Sequence, residues 1–364
     1  MLFRSASSGN KKLNAELIST AAGNEAASIG KISGLTNKSV ILVGERLSES
    51  AGAISAAVAL AQSSGAKLAW IPRRAGERGA LEAGAIGNLL PGGRPVTDST
   101  ARVDIQAAWG VENLPSSNGR NTDEILKDLH DGKIEALLVG GVDPLDISAH
   151  HHDGLAKAFV VSLEIRHSAI TEIANVVLPV AAVVEKSGTF VNWEGRARSF
   201  ETAIEDSLTR SDVRILSMLA DQMGTPINLP TVTAAREEFN SLGNWEARAS
   251  FTPVAANSVS APADKALLSS WRLLLDAGSL QDGENNLAGT AHPSVAVISK
   301  ERAASLGVND GELVTISTSQ GSITLACQVD EIENNSVWIP RNSDNSRAIA
   351  TLGVASGPVS VVRA

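Results

Sequence analysis

Five short apolar runs, "SVILVG" (39–44), "KLAWIP" (67–72), "IEALLVGG" (134–141), "AFVVSL" (158–163) and "NVVLP" (175–179), constrain this chain more than any other feature. Continuous apolar runs of strand length, rather than alternating ones, belong to strands buried on both faces. Helical segments separate several of them. "SESAGAISAAVALAQSSG" offers Ser48 as a cap and Gly65 as a stop, and "NTDEILKDLHDG" offers Thr122 as N-cap, acids in its first turn and Gly132 at its end. "SDVRILSMLADQMG", capped by Ser211 and stopped by Gly224, closes the region. The expectation is an α/β domain over 39–224, a doubly wound and mostly parallel sheet covered by helices.

Beyond it the texture changes. Residues 225–264 lose the rhythm, and "TPVAANSVSAPAD" reads as a linker. In 265–364, "ELVTISTSQGSITLACQV" gives two strands around a Ser319-Gln320-Gly321 turn, with Ile323, Leu325, Cys327 and Val329 on one face. "SKERAASLGVNDGE" adds a brief helix capped by Ser299 and stopped by Gly307, and "SVWIP" adds a strand. Short strands with turn signals predict a small closed β-barrel. Residues 1–38 open on polar, Ser- and Asn-rich sequence with no clean first element, as expected of a piece of a longer chain.

Charge and cysteine content exclude several roles. The net charge is −9 and no run of Lys or Arg exceeds a pair. A site that tracks a phosphate backbone needs clustered cations, so no nucleic-acid partner is expected. The single cysteine, Cys327, forms no internal disulfide and cannot hold an iron–sulfur cluster. Its alternation pattern makes it a core thiol. The longest apolar stretches fall short of the ~18 residues of a membrane span, so no insertion into a bilayer is expected.

Several stretches invite a functional reading. The turn after "SVILVG" lacks any phosphate-binding glycine pattern and reads as a plain connection. At "LLVGGVDPLD", Gly140 and Gly141 close a strand where α/β folds place ligands, or they simply permit a tight turn. The three imidazoles of "AHHHDG" diverge from one another, which argues for a surface loop over a metal site. Arg73, Arg74 and Arg78 form either an anion clamp or a solvated loop ordered by ion pairs. No nucleophile–base pair or metal signature stands out.

"ANVVLPVAAVVEKSGTFVNWEGR" (174–196) resembles the signature of the molybdopterin oxidoreductase superfamily. The matching residues are Leu178-Pro179, Glu185-Lys186, Gly188-Thr189-Phe190, Asn192 and Glu194-Gly195-Arg196, and "LLVGGVDP" resembles the preceding glycine turn. "ASLGVNDGELVTIST" through "GSITLACQV" is similar to the family's C-terminal dinucleotide-binding module, a barrel of the double-psi kind. "SVWIPRNS" and "LAWIPRRAGERGALEAGAIGNLLPGGRP" narrow the resemblance to one branch of the family. That branch supplies the G subunit of bacterial proton-pumping NADH–quinone oxidoreductase, or complex I, and the likeness is to its actinobacterial versions in particular.

The resemblance implies the C-terminal part of a subunit whose upstream modules carry iron–sulfur clusters (4Fe-4S, 2Fe-2S) that pass electrons from NADH toward quinone. Its partners would be other peripheral-arm subunits, at the cytoplasmic face of the plasma membrane. This region would be a scaffold without a cofactor of its own. Gly140, Gly141, Gly188, Thr189, Asn192, Glu194, Gly195 and Arg196 are then vestigial cofactor-binding positions. In the loop-organising role they would keep, Glu194 accepts backbone hydrogen bonds and Arg196 pairs with a carboxylate to hold the module to its neighbour. In the stretch where active relatives meet the pterin, "LLLDAGSLQDGENNLAGTAHPSVAVIS", only "GTAHPS" offers much for a pterin. Two alternatives stay open: a truncated molybdenum enzyme of the formate dehydrogenase or nitrate reductase kind, binding a pterin dinucleotide, and a free-standing module for a nucleotide-like ligand.

Overall fold

The computed structural model describes residues 2–3, 14–72, 76–148, 152–205, 207–247, 251–257, 259–262 and 264–364. The chain forms two compact units: Met1–Ile71 with Pro144–Ala149 and Pro253–Ala364, and Pro72–Asp143 with His150–Thr252.

In the first unit the strands Val40–Gly44 and Lys67–Ile71 pair in parallel, joined by helix Ala53–Ser64. Val43, Ala53 and Ala57 pack together there with Ala26 and Ile29. The opposite face stays open, with Leu42 65% exposed. Burial on both faces, expected from the apolar runs, therefore holds on one face only. Ser48 does not cap this helix. It lies in the 3-10 turn Glu45–Glu49, donating to Glu45 O at 2.6 Å, and the helix begins after Gly52 in a left-handed conformation. A side chain on Gly52 would meet Ala256 N at 2.7 Å, so the strap 253–257 passes too close for any Cβ.

That strap belongs to the stretch read as a linker, and it is pinned rather than free. Val254 N donates to Ser55 Oγ at 2.9 Å, and Asn24 exchanges two hydrogen bonds with the backbone of Val259. The same 225–264 stretch also contains an unforeseen helix, Val232–Leu242, capped by Thr231. "TVTAAREEF" carries a cap and good helix formers after Pro230, a signal masked by the proline- and serine-rich sequence around it.

The rest of the first unit is a closed barrel of six strands: Ala266–Trp271, Val295–Ile298, Leu313–Ser317, Ser322–Val329, Ser336–Pro340 and Ser356–Arg363. Leu313–Ser317 and Ser322–Val329 form the expected hairpin, closed by Thr318 N donating to Gly321 O at 3.0 Å. Two strand pairs are parallel, Ala266–Trp271 with Ser336–Pro340 and Val295–Ile298 with Ser322–Val329. Leu268, Ile298, Ile316, Val337 and Ile339 fill the interior. Cys327 is buried among them, its Sγ donating to Asn309 O at 3.0 Å. Burial raises the pKa of that thiol, so it packs as a small apolar group.

In the second unit, Ala136–Gly140, Phe159–Glu164 and Val176–Pro179 form a three-stranded parallel sheet. Leu126 and Leu129 of helix Thr122–His130 pack with Val160 and Ile170 against one face. Here too the other face is open, with Phe159 51% and Leu138 47% exposed. The cap of this helix is Asn121 rather than Thr122. Asn121 Oδ1 accepts from Glu124 N at 2.9 Å, and Glu124 Oε2 accepts from Asn121 N at 2.8 Å. The reciprocal pair satisfies two N–H groups, which a Thr122 cap would not do with Glu124 in this register.

Candidate functional site

The family-like signature folds as an antiparallel hairpin in the second unit. Gly188–Val191 pairs with Ala197–Phe200, in register Gly188↔Phe200 through Val191↔Ala197. Residues 192–196 make the turn. Asn192 organises it: its Oδ1 accepts from Glu194 N at 3.0 Å and Arg196 N at 2.9 Å, while its own N–H donates to Arg196 O at 3.1 Å. Asn suits this place because its short amide carbonyl can replace a backbone acceptor in a turn. Gly195 takes φ +82°, the left-handed region that other residues reach only under strain.

The role assigned to Glu194 from sequence therefore falls to Asn192. Arg196 does pair with a carboxylate, but it is Glu194 of its own turn, at 3.1 Å, and both residues are exposed. The pair lies within the turn itself.

The base of the hairpin is held by a residue that sequence reading missed. Arg236, on helix Val232–Leu242, donates from Nε to Thr189 Oγ1 at 3.1 Å and from Nη2 to Gly188 O at 3.0 Å. Only recognition of the helix in 225–264 would have pointed to it. At Gly188 a Cβ would lie 2.5 Å from Phe200 Cζ, so this glycine lets the aromatic ring cross the strand. Phe200 stacks on Phe190 with centroids 4.8 Å apart.

Glu185 and Lys186 anchor the entry to the motif. Glu185 Oε2 accepts from Ala182 N at 2.8 Å and from Thr209 Oγ1 at 3.3 Å, and the backbone bond in particular lowers the pKa of its carboxyl. Lys186 pairs with Asp212. Gly140 and Gly141 belong to the parallel sheet instead. Gly141 takes φ +63° and donates its N–H to Leu163 O at 3.2 Å, the backbone geometry of a tight turn. Arg78 pairs with Glu82 one helical turn away, its Nε donating at 2.6 Å, while Arg73 and Arg74 lie outside the described residues, as do His150 and His151.

A second polar cluster, in the first unit, was not singled out from sequence. Asp146 accepts from Ser279 N at 2.8 Å and from Asn342 Nδ2 at 2.9 Å, with Arg272 Nη2 at 3.6 Å. Arg272 Nε donates to Asp276 at 2.6 Å, and Arg341 grips Glu49 with two bonds of 2.9 and 2.7 Å. Asn342 lies in "SVWIPRNS", so the signal was present without an assigned role.

In both places the polar side chains are committed to one another. Asn192, Glu194, Arg196, Asp146, Arg272, Asp276 and Asn342 all bond within the protein, and the thiol of Cys327 is buried in the barrel. Among the described residues, no helix is long and apolar enough to cross a membrane.

The molybdopterin oxidoreductase family profile matches residues 9–222, and the molybdopterin dinucleotide binding domain matches 277–358. The chain is 48% identical to the G subunit of NADH-quinone oxidoreductase from Mycobacterium tuberculosis (strain CDC 1551 / Oshkosh), covering 97% of this chain and 46% of that protein. It is 46% identical to the protein of the same name from Streptomyces coelicolor, covering 87% of this chain and 39% of that one. A putative formate dehydrogenase of Bacillus subtilis is 28% identical over 77% of this chain and 33% of its own length. The chain thus spans less than half the length of the curated relatives it matches. With the hairpin signature, the C-terminal barrel and a profile match over more than half its residues, the chain belongs to the molybdopterin oxidoreductase family.

Proposed function

We propose that this chain is the C-terminal scaffold of the G subunit of an NADH–quinone oxidoreductase. The 48% identity spread over 97% of the chain carries the reading. In it, upstream modules of the subunit hold the 4Fe-4S and 2Fe-2S clusters that carry electrons from NADH toward quinone. The C-terminal region holds no pterin or molybdenum and supports the peripheral arm at the cytoplasmic face of the membrane. Self-paired motif side chains suit that role, because a loop that satisfies its own hydrogen bonds costs little to keep rigid. Removing residues 39–364 from the full-length protein in an actinobacterial host tests it. Membranes should lose NADH–quinone activity and the shortened protein should drop out of the purified complex. A complex that assembles fully and turns over normally without the segment would overturn the proposal.

A second reading, a molybdenum oxidoreductase of the formate dehydrogenase or nitrate reductase kind, is favoured by one observation. The signature from Gly188 to Arg196 is intact in sequence. Metal content separates the two.

A further inference from the structure

The outer face of the barrel carries a cleft of about 280 Å³. Strand alternation sends Leu268, Val337 and Ile339 inward to the core, and places Ser269, Trp271 and Trp338 on the other side, where all three line the cleft. Ser269 and Trp338 are register partners across the parallel pair Ala266–Trp271 and Ser336–Pro340. The rings of Trp271 and Trp338 lie 4.7 Å apart at 44°.

Two polar groups on this wall have no partner among the described residues. Ser269 is 4% exposed, and neither its hydroxyl nor the indole N–H of Trp338 makes a hydrogen bond. Unpaired buried groups are costly, and here two sit side by side. The loop after strand Ser322–Val329 supplies Asp330, Glu331 and Glu333 to the same cleft, and no Lys or Arg among the described residues lines it. Asp330 receives Glu331 N at 2.7 Å, and Glu333 receives Asn335 N at 2.8 Å and the Ser336 hydroxyl at 3.3 Å. A carboxylate accepts about four hydrogen bonds, so these turn contacts leave acceptor capacity over.

Indoles beside carboxylates, in a cleft lined by no Lys or Arg among the described residues, select for positive charge and a flat body. With Arg46 already on Trp271, the ring left to a ligand is Trp338. The tryptophan pair already shows that preference, since Arg46 Cζ lies 4.1 Å from the Trp271 ring centroid. The serine hydroxyl can accept from an N–H of such a ligand, whose other N–H groups face the carboxylates. Phosphorylated or carboxylated ligands would face the three acids unfavourably. We propose that this cleft binds a small planar organic cation, an aminated heteroaromatic, between the tryptophan wall and the acidic loop.

The test titrates the whole chain with 2-aminobenzimidazole, followed by calorimetry and tryptophan fluorescence. Binding should saturate at one molecule per chain and quench fluorescence. Benzimidazole-2-carboxylate, an anion of similar shape, should not bind. Glu331 is exposed, so Glu331→Gln should leave the fold intact while weakening binding about fivefold, the effect of roughly 1 kcal/mol. Trp338→Phe should weaken binding as well, with unchanged far-UV circular dichroism checking that the barrel survives. Absence of saturable binding, equal binding of the anion, or unchanged affinity in Glu331→Gln would each overturn the proposal.

Discussion

Arg236 donates from Nη2 to the carbonyl oxygen of Gly188 at 3.0 Å, tying helix Val232–Leu242 to the first residue of the signature hairpin. The same guanidinium reaches Thr189 Oγ1, so one side chain fixes the base of the loop from a helix position 47 residues further along the chain. Charge-assisted bonds are the stronger kind, though partial exposure reduces them. Arg236→Ala should destabilise the second unit by about 1–2 kcal/mol in urea unfolding. Arg236→Lys should recover little, because an ammonium cannot make both bonds from one plane.

The turn itself offers a ranking. Asn192→Ala removes the acceptor for two backbone N–H groups and should cost about 1–2 kcal/mol. Gly195→Ala forces a side chain into φ +82° and should cost about 1 kcal/mol. Arg196→Ala breaks only an exposed ion pair and should cost under about 0.5 kcal/mol. Thermal unfolding of the three variants checks the order. An Arg196 effect exceeding that of Asn192 would contradict the self-contained hairpin.

Sequence patterns made parts of this fold legible, and physics explains which. The strand runs were readable as short apolar segments between helices, although only one face of each sheet is buried, and the barrel hairpin because "STSQGS" supplies turn chemistry between alternating strands. Ser211 and Ser299 cap their helices as expected. Asn121 and Thr122 are both good caps, and only the reach of Glu124 back to the Asn121 N–H decided between them. The motif residues were legible as a set, but not their partners. Which carboxylate meets Arg196, and that Arg236 holds Gly188, depend on tertiary placement that local spacing does not encode. The Asp146–Asn342 bond, between residues 196 apart, lies beyond any local pattern.

Inside the barrel, Ile339 is fully buried among apolar neighbours. Ile339→Ala should destabilise by about 2–5 kcal/mol, through lost burial plus the cavity left behind. Chemical denaturation followed by tryptophan fluorescence reads it, and a loss below about 1 kcal/mol would mean the site collapses to fill the space.

Acid should loosen the C-terminal end of helix Thr122–His130. Hydrogen bonds from Lys127 first, and then from Lys133, lower the pKa of the Asp131 carboxyl from 3.8 to about 2. A carboxyl with a depressed folded pKa contributes stability above its unfolded value and loses it as pH falls through the folded value. The contribution is therefore present at neutral pH and fades between about pH 4 and about pH 2. Titration by NMR should place Asp131 near the lower figure, and Lys127→Ala should move it back toward 3.8.

The proposed scaffold role holds that this chain carries no pterin of its own. The most direct measurement of that is the molybdenum and pterin content of the intact, full-length polypeptide, purified without chelators from its native membranes. Metal and fluorescent pterin should both lie far below one equivalent per chain. One equivalent of each, retained through gel filtration, would contradict a cofactor-free scaffold.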